Sequence, residues 1–158
     1  MSDEERVPPH KIRVTKLQEA QLQDIERLEQ NAGAGMQAAG IDQHKALTEV
    51  AIARLTRSND VLVAEADNHV AGYLVWADQA PGVAYVSRLM VDPEYQRFGI
   101  GTRLLRELGE ATAVHGLGHA VMCAWAAEAG ALSFLAVRGF APLEGDMPPK
   151  VKSWHGNL

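Results

Sequence analysis

The stretch Val86-Ser87-Arg88-Leu89-Met90-Val91-Asp92-Pro93-Glu94-Tyr95-Gln96-Arg97-Phe98-Gly99-Ile100-Gly101-Thr102 decides the fold. It runs from an apolar strand through an Asp-Pro turn into a glycine-punctuated loop. Downstream, Leu104, Leu105, Leu108 and Ala111 recur at helical spacing, so the loop opens a helix. Glycines at a helix mouth let backbone approach a ligand closely. The N–H groups of a first helical turn have no partners within the helix, and the dipole puts partial positive charge there. Such a place suits a phosphate. Arg97 and Arg103 flank it with cations. A Gly-x-Gly pair by itself is more often an ordinary turn. Two other phosphate signatures do not fit: there is no Gly-Lys-Ser/Thr, and no third glycine at dinucleotide-fold spacing.

The pattern that fits is Gln96-x-x-Gly99-x-Gly101, directly after a strand ending in Val91-Asp92-Pro93. It resembles the acyl-CoA pyrophosphate loop of the GNAT N-acetyltransferase superfamily, whose form is Arg/Gln-x-x-Gly-x-Gly/Ala. Leu89 to Tyr95 also resembles that family's fourth strand and its exit turn. Further on, Ala131-x-x-Phe134 followed by Arg138-Gly139-Phe140 is similar to the family's helix that ends in Gly-Phe. The two blocks stand in the family's order and span residues 84 to 143.

The whole chain sets outer bounds. At 158 residues it has room for one substantial core. An apolar share of 47% and a charged share of 22% are ordinary for a globular protein. The net charge of −5 argues against a broad nucleic-acid surface and mildly favours a cationic acceptor. The single cysteine, Cys123, leaves no internal disulfide and fits a reducing cytosol, so a cytoplasmic location is expected. No apolar run reaches the roughly 20 residues that span a bilayer. The acidic N-terminus has no apolar signal core, and no membrane partner is expected.

Along the chain, residues 1–10 are polar and proline-bearing and are expected to form a flexible tail, leaving 11–158 as a single domain. Ile12, Val14 and Leu17 suggest a first strand. Leu22, Ile25 and Leu28 predict an amphipathic helix within Glu19 to Gln30. The three glycines between Asn31 and Gly40 predict a loop. A second helix should bury Ala46, Leu47, Val50, Ala51 and Leu55 and end near Ser58 to Asp60. Three strands follow, at Val61–Ala66, Val70–Ala77 and Ala84–Val91, joined by turns at Asp67-Asn68 and Gln79–Gly82. A helix from Thr102 to His115 carries Arg103–Glu107 and Arg106–Glu110 pairs and stops at Gly116. Ala120–Trp125 reads as a strand and Ala127–Val137 as a helix. Phe140–Leu143 and Val151–Trp154 read as short final strands. This order is an α/β pattern with a mixed sheet.

The resemblance implies a mostly antiparallel sheet flanked by about four helices, with the fourth and fifth strands splayed apart. It implies acetyl-CoA as co-substrate, its pantetheine arm lying between Ala84–Val91 and Ala120–Trp125. An amide-bearing arm would satisfy the backbone groups that the splay leaves unpaired, in effect adding a strand. The N–H groups near Leu89, Met90 and Val91 would hold it and polarise the thioester carbonyl. Gln96, Arg97, Phe98, Gly99, Ile100, Gly101 and Thr102 would cradle the pyrophosphate.

The implied reaction is direct acetyl transfer to a primary amine of a small molecule or peptide. An alkyl ammonium, with a pKa of about 10.4, must lose a proton before it attacks. The family's usual acid is a tyrosine four residues before the glycine of Gly-Phe, where this chain has Leu135; its frequent asparagine is Glu128 here. Tyr85 and Ser87, on one strand face by period-two alternation, are candidate replacements, as acid or relay and as a water-positioning group. Glu128 is a candidate base or acceptor contact. Each has an ordinary alternative: a sheet aromatic, a strand hydroxyl, and an acid favoured by a helix's first turn. Trp125 could line the acceptor pocket, and Cys123 has no activating signature. The histidines show no zinc spacing, so no metal is expected. The acceptor wall would come from residues 19–57, where Glu29, Asp42 and Glu49 are candidate cation contacts. In the family, C-terminal strands often form the dimer contact, which here means Val151–Trp154. Two rivals stand beside the transferase: a CoA-binding module without turnover, suggested by Leu135, and a protein-interaction subunit with a vestigial groove.

Overall fold

The computed structural model describes residues 8–38, 46–80, 83–96, 98–113, 119–125, 141–143 and 151–157. Seven strands form one sheet: β1 (Ile12–Lys16), β2 (Asp60–Ala66), β3 (His69–Ala80), β4 (Val83–Val91), β5 (His119–Trp125), β6 (Ala141–Leu143) and β7 (Val151–Asn157). Their order is β1-β2-β3-β4-β5-β7-β6. Every neighbouring pair is antiparallel except β4 and β5. A parallel pair needs a crossover, and α3 (Ile100–Ala113) supplies it. Among the described residues there are two more helices, α1 (Leu22–Ala38) and α2 (Glu49–Leu55). The expected helix at 127–137 lies outside the described residues.

The sheet separates two cores. On one face Leu104 and Leu108 of α3, with Ile100, pack on Leu62, Leu74, Ala84 and Val86. On the other, Ile25 and Leu28 of α1 and Ile52 of α2 pack on Val63, Tyr73, Val75 and Met90. Strand alternation sends successive side chains to opposite faces, which is why Val63 and Leu74 belong to different cores. Asp67 and Asn68 take positive φ, 48° and 69°, and close the β2–β3 hairpin at the turn read from the sequence.

Two expectations are corrected. The glycine-bearing segment after Gln30 is not a loop as far as Ala38, because α1 continues to that residue. In α2 the buried side chain is Ile52, while Val50 is 61% exposed; the helix starts later than expected, with Thr48 Oγ1 accepting from Ala51 N–H at 3.2 Å. Where the expected tail meets β1, the chain is held: the Asp67 carboxylate accepts the backbone N–H groups of His10 and Lys11 at 3.0 and 2.9 Å.

One polar knot fixes the entry to α1. Gln21, 5% exposed, accepts from Gln18 N–H at 2.8 Å and donates to Glu65 Oε1 at 2.8 Å. The other Glu65 oxygen accepts from Arg13 Nη2 at 2.7 Å. This ties the start of the helical layer to the β1–β2 edge of the sheet.

Candidate cofactor site

β4 and β5 are paired only from Val83↔His119 to Val86↔Met122. Beyond that both strands run on, β4 to Val91 and β5 to Trp125, with no register between them among the described residues. Each keeps its outer neighbour: Val91 stays opposite Gly72 of β3, and Trp125 opposite Val151 of β7. The expected splay is therefore present, and it opens toward the C-terminal ends of a parallel pair.

A bulge sits where the strands part. Val75 opposes Arg88 and Trp76 opposes Val86, so Ser87 is one extra residue on β4. A bulge bends its strand and shifts its alternation. Before it, Ala84 and Val86 face α3; after it, Leu89 and Val91 do. Backbone direction follows from the next hydrogen bond: Asp92 N–H donates to the Ala71 carbonyl at 2.8 Å. By alternation Met90 also turns its N–H to β3, while those of Leu89 and Val91 turn to the gap. Of the three residues expected to meet the pantetheine, Met90 is thus the one whose backbone faces the neighbouring strand instead.

The exit from β4 is built by Asp92. It is 6% exposed, and its Oδ1 accepts from Glu94 N–H at 3.0 Å. That closes the short 3-10 turn Pro93–Tyr95, for which the fixed φ of Pro93 is suited. Gln96 follows, exposed and extended. Gly99 takes φ +78°, a conformation that L side chains rarely adopt. Its carbonyl accepts from Arg103 N–H at 2.9 Å, which starts α3 two residues earlier than expected. The amides of Ile100, Gly101 and Thr102 therefore belong to the first turn, at the positive end of the dipole. The Ile100 side chain is core, 1% exposed, so its backbone alone is available to a phosphate. Phe98 is half-buried. Arg97 lies outside the described residues. On α3, Arg103 Nε approaches Glu107 Oε1 at 3.5 Å, as the four-residue spacing predicts.

Helix and gap adjoin. A Cβ on Gly72 would stand 2.9 Å from Ile100 Cγ2 and 2.9 Å from the Met90 carbonyl oxygen. The mouth of α3 therefore abuts the end of the unpaired half of β4. A gap that could accept an extended amide chain leads to a helix N-terminus that could accept a phosphate, an arrangement that suits the pantetheine and pyrophosphate of a CoA.

The face of β4 opposite α3 carries the candidate catalytic groups. Tyr85 is half-buried, opposite Ala77 and Val121. Ser87 is exposed at the bulge, its hydroxyl 3.5 Å from the Val75 carbonyl. Glu128, Asp42 and Leu135 lie outside the described residues. Glu49 is exposed at the start of α2, its N–H donating to Glu26 Oε2 at 2.9 Å. Glu29 is fully buried rather than a solvated helix charge. Its carboxylate accepts from Arg88 Nε at 2.6 Å and Nη2 at 2.7 Å, and from the Tyr73 hydroxyl. Arg88 Nε also donates to the Tyr73 oxygen at 2.9 Å. Burial, then the charge of Glu29, pushes the Tyr73 phenol far above its ordinary range. Burial works against the Arg88 charge, but its hydrogen bonds to Glu29 and the negative charge of that carboxylate outweigh it and raise its pKa. This triad was not legible in the sequence, because a period-two reading without the bulge puts Arg88 on the α3 face. No group of residues that could hold a metal occurs among the described residues, and no helix among them is long and apolar enough to cross a membrane.

Comparison with known proteins agrees with this architecture. Among curated proteins, no sequence matches significantly. Many solved structures share the fold. PaiA N-acetyltransferase from Thermoplasma acidophilum, solved in complex with coenzyme A, is similar at 19% identity and a TM-score of 0.76, over 94% of this chain and 99% of that one. An acetyltransferase from Thermus thermophilus gives 14% identity and 0.76, over 96% and 100%. The ribosomal-protein-S18-alanine N-acetyltransferase of Escherichia coli gives 17% and 0.73, over 93% and 94%. At these identities the likeness concerns the fold alone. The family model of the acetyltransferase (GNAT) domain matches residues 57–142, more than half of the sequence, and the chain belongs to that family.

Proposed function

We propose that this protein transfers an acetyl group from acetyl-CoA directly to a primary amine of a small molecule or peptide. The observation that carries the reading is the β4–β5 ladder that stops at Val86↔Met122 while both strands continue, β4 ending beside the mouth of α3. Leu89 and Val91 present backbone to the gap and would bond the pantetheine amides. One of their N–H groups would donate to the thioester oxygen, whose charge grows as the amine attacks the carbonyl carbon. The amine arrives as an ammonium and must first lose a proton. Tyr85 and Ser87, on the face opposite α3, are our candidates among the described residues to relay protons or hold a water. The nitrogen–carbon bond forms, the carbon–sulfur bond breaks, and the thiolate leaves with a proton supplied by such a group. The first turn of α3, with Gly99 in front of it, would hold the pyrophosphate.

The test is calorimetric titration with acetyl-CoA, followed by an amine panel. The Thr102→Glu variant is the control. A carboxylate in the first turn of a helix favours the helix, yet it should repel a pyrophosphate and weaken binding about tenfold or more. Binding by the wild type, weakened in the variant and followed by turnover, supports the transferase. Binding without turnover of any amine would leave a CoA-binding module, the reading that Leu135 at the usual tyrosine position favours. No binding at millimolar ligand would sink both.

A further inference from the structure

The triad of Glu29, Tyr73 and Arg88 needs a reason beyond stability. A buried ion pair costs so much desolvation that apolar residues of similar volume often serve as well. The same interface shows this: Ile25 and Leu28 of α1 pack on Val63 and Val75 with no charge at all. What the ion pair adds is direction. A guanidinium fork held by both carboxylate oxygens has essentially one orientation, and Arg88 is held in that way at 2.6 and 2.7 Å.

Its place on β4 gives that direction a use. Arg88 is the first residue after the Ser87 bulge, at the start of the unpaired half of the strand. Among the described residues the β4–β5 register ends at Val86, before the bulge. Tyr73, the third member, stands opposite Met90 in the β3–β4 register. The triad therefore grips β4 through the Arg88 side chain on one side of Leu89 and through the partner of Met90 on the other. Between them lies Leu89, whose N–H faces the gap as that of Val91 does. We infer that Glu29, Tyr73 and Arg88 are positioning residues: they fix the bulge so that the Leu89 and Val91 amides meet the acetyl thioester at the angle that polarises it. This rests on the acetyl-CoA reading above. None of the three touches the reacting atoms.

The test uses wild type, Arg88→Lys, Tyr73→Phe and the double variant Glu29→Leu/Arg88→Met. Each is titrated with CoA and then loaded with acetyl-CoA labelled at the thioester carbonyl. The infrared stretch of the bound carbonyl reports the hydrogen bond it accepts. In the wild type this band should lie below its free-solution frequency. The double variant removes both charges together, so no orphan charge is buried and the fold should persist. Its CoA affinity should stay within about threefold of wild type, while the carbonyl band moves most of the way back to the free value. Arg88→Lys keeps the charge but loses the fork, and should fall between the two. Tyr73→Phe should give a smaller shift of the same sign. A double variant that folds and leaves the carbonyl band unmoved overturns the positioning role, as does one that fails to fold, which would make the pair purely structural. A wild type that binds neither ligand overturns the acyltransferase reading and this inference with it, before any substitution is made.

Discussion

A methyl group on Gly72 would stand 2.9 Å from Ile100 Cγ2 and from the Met90 carbonyl oxygen. The side chain can give, but the carbonyl is backbone, fixed by the pairing of Met90 with Tyr73 of β3. Gly72→Ala should therefore cost about 1–3 kcal/mol, as overpacking does elsewhere, read as a lower urea midpoint. Gly99 differs: a Cβ there meets nothing within 4 Å, and only its φ of +78° resists substitution. Gly99→Ala is expected to cost about 1 kcal/mol through backbone strain. It should also weaken CoA binding, because the carbonyl that starts α3 is that of Gly99. The sequence shows both glycines equally; their different roles come from what surrounds them in space.

At the scale of elements, the strands were the most legible. Apolar runs separated by Asp67-Asn68 can be read by eye, and the loop from Asp92 to Gly99 carries its own turn chemistry. Helix ends were harder. Gly33 and Gly35 are poor helix formers, yet α1 runs past both to Ala38, since a helix already packed through Ile25, Leu28 and Ala32 tolerates a local cost. In α2 an apolar face built on Val50 missed the start fixed by Thr48. That cap can be weighed: Thr48→Ala should cost about 1 kcal/mol, checked by thermal melting. The Ser87 bulge was invisible, because nothing in Val86-Ser87-Arg88 says that one residue is left out of the ladder. With it went the Glu29–Arg88 pair, whose partners are far apart in the chain. Only the fold brings them together.

Across the whole molecule, the two cores share one sheet, so neither can be dissolved without exposing the back of the other. Unfolding is expected as one transition, with near- and far-ultraviolet dichroism changing together. Its midpoint should fall in acid. Glu65 is held below the ordinary carboxyl value of 4.5, chiefly by the hydrogen bond from Gln21 and then by Arg13. A depressed value in the fold means that this stabilisation is complete above 4.5 and drains away as pH falls through the lower folded value. In Glu65→Gln the dependence on pH should be flatter. Acetyl-CoA should act in the opposite sense: at a hundred times its dissociation constant it would add about 2.7 kcal/mol and raise the melting temperature.

The parting of β4 from β5 has a mechanical meaning as well. Eight register pairs join β3 to β4 and seven join β5 to β7, but four join β4 to β5. The sheet is two stiff panels sharing a short seam, and the seam ends where the gap begins. Pulled apart across the strands, the two panels should part along that seam. A ligand strung along the gap would act as a row of stitches, and its length rather than its charge would decide how much force the seam withstands.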